Sequence, residues 1–373
     1  MNSYGHERSI HVAVVGVGGV GKELVNQLIQ SPYPFSLAAL CNSKRMVLYT
    51  DGTKCFQQGS SDSPWWVVLA DETVTVDACL DTLRDALRSL AQAGKKVVLV
   101  DNTSDLGVAK CYPSFLNEGI HVVTPNKKAF SGDLGDYKEL VRSAGGEALG
   151  RGKVYNESTV GAGLPIVQTL KDLVNTGDKI LKIEGVFSGT MSYIFNEFSK
   201  EGAGSFSKVV EEAKNNGYTE PNPGDDLNGA DVARKLAILS RMIPALSESL
   251  PRGYEDVQTQ SLVPDVSKDV GATEFMSNLF TMDDEFGQKR KEAAQRGNVL
   301  RYVGVIDVKN GVIKAELAEY PNSHAFATSL QDADNIIMFH TERYKKRPLL
   351  IQGPGAGNEV TAMGVMSDLL KLI

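Results

Sequence analysis

A glycine-rich turn near the N-terminus constrains the fold of this chain more than any other feature. The apolar run Ile10–Val15 leads into Gly16-Val17-Gly18-Gly19-Val20-Gly21, and an amphipathic segment extends from there to Ser31. In this GxGxxG pattern the first glycine permits a tight turn, the second lets the main chain approach a pyrophosphate, and the third allows close helix–strand packing. The segment therefore predicts a strand–turn–helix unit that binds a dinucleotide. A glycine turn without a ligand is the alternative.

Strands and helices continue to alternate through the N-terminal part of the chain. Short apolar runs at Ser36–Cys41, Lys96–Val100 and His121–Thr124 predict strands, and Asp77–Ala93 carries leucines at helical spacing. Such alternation is typical of a parallel sheet with helices on both faces. We therefore predict the α/β fold class, with an N-terminal Rossmann dinucleotide-binding domain.

The pattern changes after Lys153. Two apolar runs, Val299–Val308 and Val312–Glu319, are joined by Lys309-Asn310-Gly311, and Asn-Gly at such a junction predicts a hairpin. The other elements predicted here are a strand at Leu181–Phe187, helices at Ser207–Asn216 and Leu227–Met242, and an antiparallel pair at Asn335–Arg343 and Pro348–Gln352. We predict a second, α+β domain on a mixed or antiparallel sheet.

The composition excludes several classes of protein. The chain has 39 Lys+Arg and 46 Asp+Glu, a formal net charge of -7, and so lacks the basic surface of a nucleic-acid binder. No apolar run reaches the ~18 residues of a membrane span, and the polar N-terminus predicts no secretory signal. The four cysteines form no CxxC pair, which favours reduced thiols in a cytoplasmic protein. We expect no nucleic-acid or membrane partner and no zinc or iron site.

Polar residues follow two of the predicted strands, at the edge where open parallel sheets bind ligands. Asn42 follows the second strand, with no acid beside it to bind the ribose 2′-hydroxyl of NAD, and Lys44 and Arg45 come next. These cations can pair with the 2′-phosphate of NADP or be ordinary surface charge, so we favour NADP and leave NAD open. Asp101-Asn102-Thr103-Ser104 follows Lys96–Val100 and can contact the nicotinamide ribose or cap the next helix.

Acidic residues and a lysine gather further along the chain. The loop Gly217–Asp226 contains Glu220 and Asp225, and Asp231 and Lys235 follow at i,i+4, on one face of a predicted helix. A lysine beside carboxylates can transfer a proton, and the carboxylates can hold an amino group. A capped helix with a surface ion pair is the alternative.

Two other loops add candidate residues. Lys127 stands just beyond a predicted strand, where it can face a cleft or be an exposed lysine. The loop Asn156–Pro165 carries two glycines before a helix and can turn several carbonyl oxygens towards one hard cation. A helix-entry loop is the alternative.

Longer motifs give the sequence a family resemblance. The runs Thr124–Phe130, Glu157–Pro165, Gly185–Thr190, Gly217–Pro221 and Asp225–Lys235 resemble homoserine dehydrogenase, in its fungal, monofunctional form, over nearly the whole chain. The resemblance implies a reversible reaction in which NAD(P)H reduces aspartate 4-semialdehyde to L-homoserine. It places this step on the route to threonine, isoleucine and methionine.

The resemblance also implies roles for individual residues. Lys235 is expected to be the acid–base residue, Asp231 to support it, and Lys127 to lie between coenzyme and substrate and take part in catalysis. Substrate binding is assigned to Glu220, which holds the amino group, and to Asp225, Asp231 and Lys127. Coenzyme binding is assigned to the turn Gly16–Gly21 and to Asn42, Asn102, Thr103, Ser104, Lys127, Gly217, Glu220 and Gly357. A sodium ion is implied on the main-chain oxygens of Glu157, Val160, Ala162 and Leu164.

The same resemblance implies how the domains are arranged along the chain. The C-terminal segment is expected to return to the nucleotide-binding domain, which then comprises residues 1–155 and 341–373. Residues 156–340 form the expected substrate-binding and dimerisation domain, so we predict a homodimer.

Two other functions compete with the one that the resemblance implies. Aspartate-semialdehyde dehydrogenase shares the substrate but needs a cysteine nucleophile, and no cysteine follows Cys111. A nucleotide-sensing protein would bind NADPH without catalysis and would have no need of Glu220, Asp231 and Lys235.

Overall fold

The computed structural model of the chain describes residues 9–49, 65–145, 150–264, 267 and 270–373. The chain divides into two compact units. Unit 1 comprises Met1–Phe130, Gly135–Gly163 and Gly357–Ile373, and unit 2 comprises Ser131–Leu134 and Leu164–Ala356. These boundaries differ from the predicted 1–155 with 341–373, because the strand that follows residue 341 pairs within the sheet of unit 2.

The strands are named in chain order. They are β1 Ile10–Val15, β2 Phe35–Cys41, β3 Arg45–Leu48, β4 Val76–Asp77, β5 Lys96–Asp101, β6 His121–Val123, β7 Val154–Tyr155, β8 Ile180–Val186, β9 Gln258–Thr259, β10 Asn298–Asp307, β11 Val312–Pro321, β12 Asp334–Thr341 and β13 Leu349–Pro354.

The α-helices are named in the same way. They are α1 Gly19–Gln30, α2 Leu80–Gln92, α3 Leu106–Lys110, α4 Tyr112–Asn117, α5 Lys128–Ser131, α6 Leu134–Ser143, α7 Ile166–Asn175, α8 Gly189–Phe198, α9 Phe206–Asn215, α10 Gly224–Leu227, α11 Ala230–Arg241, α12 Ala272–Asn278, α13 Asp283–Gln295, α14 Ala325–Thr328 and α15 Asn358–Leu370.

The sheet of unit 1 has the strand order β4-β3-β2-β1-β5-β6-β7. From β2 to β7 every neighbouring pair is parallel, whereas β3 and β4 run antiparallel at one edge. Val12 and Val14 of β1 pack in one core with Leu24 of α1 and with Val365 and Leu369 of α15. The predicted parallel sheet is confirmed, and the antiparallel edge is an addition that the apolar runs did not indicate.

The sheet of unit 2 has the strand order β13-β12-β8-β10-β11-β9. Its pairs are antiparallel except that β9 is parallel to β11, so the prediction of a mixed sheet is confirmed. The hairpin predicted at Asn310-Gly311 joins β10 to β11, and Gly311 has a φ of +65°. The predicted pairing of β12 with β13 is also present.

Helix α11, which carries Asp231 and Lys235, is shorter than the predicted Leu227–Met242. It begins only at Ala230, because Gly229 has a φ of +77° and separates it from α10. A Cβ at Gly229 would also collide with the Tyr302 hydroxyl, so the position requires glycine.

The residues that the structure describes settle two further points. None of their helices combines the length and apolarity that a membrane span requires. Cys41, Cys79 and Cys111 are free thiols, and Cys55 lies outside the described residues.

Candidate active site

The glycine turn of unit 1 is built on close main-chain approaches. Gly16 has a φ of +87°, and a Cβ there would lie 2.7 Å from Thr103 Cγ2, so only glycine fits. A Cβ at Gly21 would collide with the Gly16 carbonyl oxygen, which keeps α1 close to β1. Gly18 has nothing within 4 Å of a Cβ position, so the main chain stays open at the N-terminus of α1, where anions bind.

The start of α15 lies beside this turn within unit 1. A Cβ on Gly19 would lie 2.5 Å from Asn358 Nδ2, and Gly357, with a φ of +126°, directly precedes Asn358. Val17 and Val20 pack in part against the core. The predicted coenzyme residue Gly357 is thereby brought to the same end of unit 1 as the glycine turn.

A cavity of about 460 Å³ opens at the carboxyl ends of β1, β2 and β5. Its walls include Gly16, Asn42, Thr103 and Ser104, four of the residues predicted to bind a coenzyme. Both amide atoms of Asn102 are buried without a hydrogen-bond partner beside the turn. Cavities of this size are typical of small-molecule sites, and the unsatisfied amide fits a polar ligand such as a dinucleotide.

The two cations that can pair with a 2′-phosphate, Lys44 and Arg45, have different settings. The Arg45 guanidinium donates to the Thr75 main-chain oxygen at 2.9 Å and pairs with Asp77 Oδ1 at 2.7 Å. Asn42 Oδ1 accepts the main-chain N–H groups of Lys44 and Arg45 at 2.8 and 2.7 Å. Lys44 is exposed, and Arg45 pairs with an aspartate that is itself largely exposed, so both cations stay candidates for binding a 2′-phosphate.

A fully buried carboxyl joins two strand ends in unit 1. Asp101 accepts from the Tyr112 hydroxyl at 2.5 Å, from Asn126 Nδ2 at 3.0 Å and from the Thr103 N–H at 2.8 Å. Burial raises the pKa of Asp101, although these hydrogen bonds oppose the rise. These bonds fix Thr103, which lines the cavity, and Asn126, which directly precedes the half-buried Lys127.

The lysine predicted as the acid–base residue is buried in unit 2. Lys235 is 6% exposed; its Nζ lies 2.7 Å from Asp231 Oδ2 and donates to the Phe187 main-chain oxygen at 2.6 Å. The Asp231 side chain is 43% exposed. The pair therefore links a buried ammonium to a carboxylate in contact with solvent, an arrangement that can hold and transfer a proton.

Asp226 anchors the segment that carries Glu220. Asp226 Oδ2 accepts the Glu220 N–H at 2.8 Å, and Oδ1 lies 2.9 Å from the Thr190 hydroxyl. Burial raises the pKa of Asp226 to about 6, and the negative charges of Glu220 and Asp231 also raise it. The structure thus brings three carboxylates into one part of unit 2, an arrangement that favours a cationic ligand.

Two other predicted residues of unit 2 have different settings. Asp225 is exposed on α10, and its neighbour Asp226 makes the contact with Glu220. Gly217 has a φ of +76° where α9 ends, and the following Tyr218 N–H donates to the Ala213 oxygen at 2.9 Å. This bond is the usual pattern of a helix-terminating glycine, which accounts for glycine at this position.

Most of the loop predicted to bind a cation, up to Gly163, belongs to unit 1 and packs there against α15, whereas Leu164 begins a segment of unit 2. The Glu157 N–H donates to Asp368 Oδ2 at 2.8 Å, and Lys371 Nζ lies 3.8 Å from Glu157 Oε2. Gly161 and Ala162 have φ values of +77° and +54°, a left-handed pair that redirects the main chain between the predicted ligands. Leu164 O accepts the N–H of residue 166 at 2.8 Å and keeps a second lone pair. Among the residues described, no group of three or more His, Cys, Asp or Glu side chains could hold a metal.

The sequence analysis assigned no role to two residues of the site in unit 2, Thr190 and Asp226. Thr190 lies within a motif that was noted, and Asp226 stands next to Asp225. Which of two adjacent acids faces a site depends on the direction of a short helix, and no local pattern reveals it.

Known protein families match both units. A family model described as "Homoserine dehydrogenase, NAD binding domain" matches residues 16–149, and one described as "Homoserine dehydrogenase" matches residues 165–370. The homoserine dehydrogenase of Emericella nidulans is 44% identical over 369 residues, 98% of each chain. That of Saccharomyces cerevisiae is 43% identical over 97% of this chain and 98% of its own.

Solved structures agree on the fold. A crystal structure of a protein of unknown function from Candida auris has a TM-score of 0.86 and 38% identity, over 98% of each chain. A hyperthermophilic archaeal homoserine dehydrogenase in complex with NADPH shares the fold at a TM-score of 0.67 and 21% identity, over 97% of each chain.

A dinucleotide-binding unit and a unit with a buried lysine beside carboxylates define a nicotinamide-dependent oxidoreductase. The full-length relatives and the two family models narrow this class. The chain belongs to the homoserine dehydrogenase family, as the sequence motifs indicated.

Proposed function

We propose that this chain interconverts L-homoserine and aspartate 4-semialdehyde with NADP or NAD, and that Lys235 is its acid–base residue. The observation that carries the proposal is the buried Lys235 ammonium, 2.7 Å from Asp231 and 2.6 Å from a main-chain oxygen. A proton held at a fixed position is what the reduction of an aldehyde to an alcohol requires.

The chemistry follows from these groups. The bound coenzyme would accept the hydride from homoserine and supply it in the reverse direction. Lys235 in its neutral form takes the hydroxyl proton during oxidation, and in its ammonium form it neutralises the alkoxide that develops during reduction. Asp231 stabilises the ammonium form and, because it is in contact with solvent, offers the proton a route to water.

Glu220, Asp226 and Asp231 supply the negative charge that the substrate's amino group needs. We expect Glu220→Gln to raise the KM for homoserine by about 10-fold or more, since a hydrogen bond to a charged group contributes about 1.5–3 kcal/mol. Glu212→Gln, at an exposed position of α9, is the matched control. An unaltered KM for homoserine in Glu220→Gln would remove Glu220 from the substrate site.

The coenzyme is proposed to occupy the cavity of unit 1. Gly18 leaves the N-terminus of α1 open to the pyrophosphate, and the unpartnered amide of Asn102, with Thr103 and Ser104, suits the ribose next to it. Because Arg45 already donates to Thr75 and pairs with Asp77, we expect a preference for NADP to depend more on Lys44 than on Arg45. The ratio of kcat/KM for NADP and NAD in wild type and Lys44→Ala measures that preference, and an unchanged ratio would exclude Lys44.

A sodium ion on the main-chain oxygens of Glu157, Val160, Ala162 and Leu164 is also proposed. Carbonyl oxygens suit a hard cation, and the Glu157 main-chain oxygen, which accepts the Val160 N–H at 3.3 Å, has a second lone pair. Replacing sodium with N-methyl-glucamine should lower activity and thermal stability. Activity and stability that do not respond would leave the loop purely structural.

Assembly as a homodimer through unit 2 is proposed from the family resemblance. Light scattering should give twice the chain mass, and the mass of one chain would contradict it. The cytoplasmic location stays a prediction.

The test of the function follows the absorbance of reduced nicotinamide with L-homoserine and each coenzyme in turn. Turnover with homoserine, and far less with the shorter L-serine, is expected. If the protein binds NADPH but turns over homoserine with neither coenzyme, it is a nucleotide sensor instead.

A further inference from the structure

The main-chain oxygen of Phe187 accepts hydrogen bonds from two side chains. Lys235 Nζ donates to it at 2.6 Å, and Asn335 Nδ2 donates to it at 3.0 Å. Phe187 directly follows β8, and Asn335 lies on the neighbouring strand β12. A carbonyl oxygen has two lone pairs, so both bonds form together. Asn335 and Lys235 therefore compete for the electron density of one oxygen.

Asn335 is enclosed completely. Its exposure is 0%, and its Oδ1 atom is buried without a hydrogen-bond partner. A Cβ at Gly355 would overlap the Asn335 amide, so glycine leaves the room that this side chain fills. A buried amide oxygen without a hydrogen-bond partner lowers the stability of the fold, whereas an apolar side chain of the same size carries no such penalty. Packing alone therefore does not account for asparagine here.

Phe187 itself is held firmly. Its side chain is 0% exposed, and a Cβ at Gly304 would lie 2.8 Å from the Phe187 ring and from Leu236 of α11. The ring, strand β10 and helix α11 are thus in close contact. The Phe187 oxygen therefore occupies a defined place relative to the two side chains that donate to it, Lys235 and Asn335.

We propose that Asn335 is a positioning residue for the proton transfer by Lys235. Its N–H fixes the Phe187 oxygen and draws electron density from it, so the oxygen stabilises the ammonium less and Lys235 gives up its proton more readily. Without Asn335, the oxygen would hold the ammonium more tightly. The inference rests on the proposed acid–base role of Lys235.

Other charged groups around α11 do not involve Asn335. Asp231 pairs with Lys235 on the same helix, and Asp226 interacts with Asp231 from α10. On β10, which packs against α11, the Arg301 guanidinium donates to main-chain oxygens and the Tyr302 hydroxyl donates to the oxygen of residue 260. A substitution at Asn335 leaves these contacts in place.

The test compares Asn335→Leu with Asn196→Leu. Asn196 is the matched control because its Nδ2 donates to the Asp332 main-chain oxygen at 3.2 Å and its Oδ1 is also buried without a partner. The pH dependence of kcat is measured for homoserine oxidation and for aldehyde reduction. Each variant removes one amide donor and one buried amide oxygen without a partner, so thermal stability should change alike in both, and both should keep the wild-type KM for the coenzyme.

We expect the pH profile of Asn335→Leu to move to higher pH in both directions of reaction by about 0.5–1 unit, with a roughly 3- to 10-fold loss of oxidation rate at neutral pH. Asn196→Leu should show no such displacement. A profile that stays in place, with rates lowered alike in both variants, would overturn the proposal.

If Asn335→Leu does not fold, Gly355→Ala takes its place, because a Cβ at position 355 would push the Asn335 amide away from the Phe187 oxygen. The same displacement of the pH profile to higher pH is expected for this variant. Wild-type protein without homoserine turnover would overturn the proposed function itself, so the two failures are distinguishable.

Discussion

Replacing Asp226 with asparagine should stabilise the protein at neutral pH but not at acidic pH. Burial raises the pKa of Asp226 from 3.8 to about 6, and the charges of Glu220 and Asp231 also raise it. Because the folded-state pKa lies above the unfolded one, the protonated carboxyl favours the folded state. That contribution is full below about pH 4 and is lost as the pH rises through about 6.

The size of the effect follows from the pKa values. A rise of about two units corresponds to about 3 kcal/mol of stability that ionised Asp226 forgoes at neutral pH. Asparagine keeps an acceptor for the Glu220 N–H but turns a donor towards the Thr190 hydroxyl, which lies 2.9 Å from the carboxylate. That exchange costs about 1 kcal/mol. The net gain should therefore be about 1–2 kcal/mol above about pH 7, with a small loss near pH 4.

The assay is urea unfolding followed by circular dichroism at several pH values. The difference in free energy of unfolding between Asp226→Asn and wild type should change sign between about pH 4 and pH 7. Asp225→Asn, at the exposed neighbouring carboxylate, is the control and should show no such change. A difference for Asp226→Asn that stays constant with pH would refute the reasoning.

Two further predictions concern buried charges in unit 2. Burial lowers the pKa of Arg301 to about 10, and the buried guanidinium donates to the Phe326 main-chain oxygen at 2.8 Å. Arg301→Met should therefore lower the free energy of unfolding in urea by about 2–4 kcal/mol, while the activity per folded molecule stays the same. A loss below about 1 kcal/mol would contradict this prediction. Burial tends to raise the pKa of Glu184, but the hydrogen bonds from His340 and Lys182 lower it to about 2. The ionised Glu184 carboxylate therefore stabilises the fold above about pH 4.5, and this stabilisation is lost as the pH falls through about 2. Glu184→Gln should be less stable than wild type at neutral pH, and the difference in free energy of unfolding should become smaller towards pH 3. A gap independent of pH would show that the ion pairs do not stabilise the fold.

Much of the fold was readable from periodicity. Apolar runs between turns located the central strands of both sheets, and Asn310-Gly311 located a hairpin, because these signals depend on residues close together in the chain. The edge strands β3 and β4 were missed because they are short. The start of α11 depends on Gly229 and the distant Tyr302 hydroxyl, a contact that no local pattern encodes.

The candidate site divides in the same way. Asp231 and Lys235 were predictable as a pair, because i,i+4 spacing puts both on one helix face. The engagement of Arg45 with Thr75 and Asp77 arises from strand pairing, and the bond from Asn335 to the Phe187 oxygen arises from neighbouring strands. Such long-range contacts require the folded chain.

The central claim is that Lys235 transfers the proton in homoserine oxidation and aldehyde reduction. Its most direct test is the turnover of Lys235→Met, which has a side chain of similar length, beside wild type in both directions. Binding of NADPH is measured by fluorescence on the same samples. The account predicts a loss of kcat of about 10²- to 10⁴-fold in both directions, with NADPH affinity unchanged. Turnover close to that of wild type would contradict it.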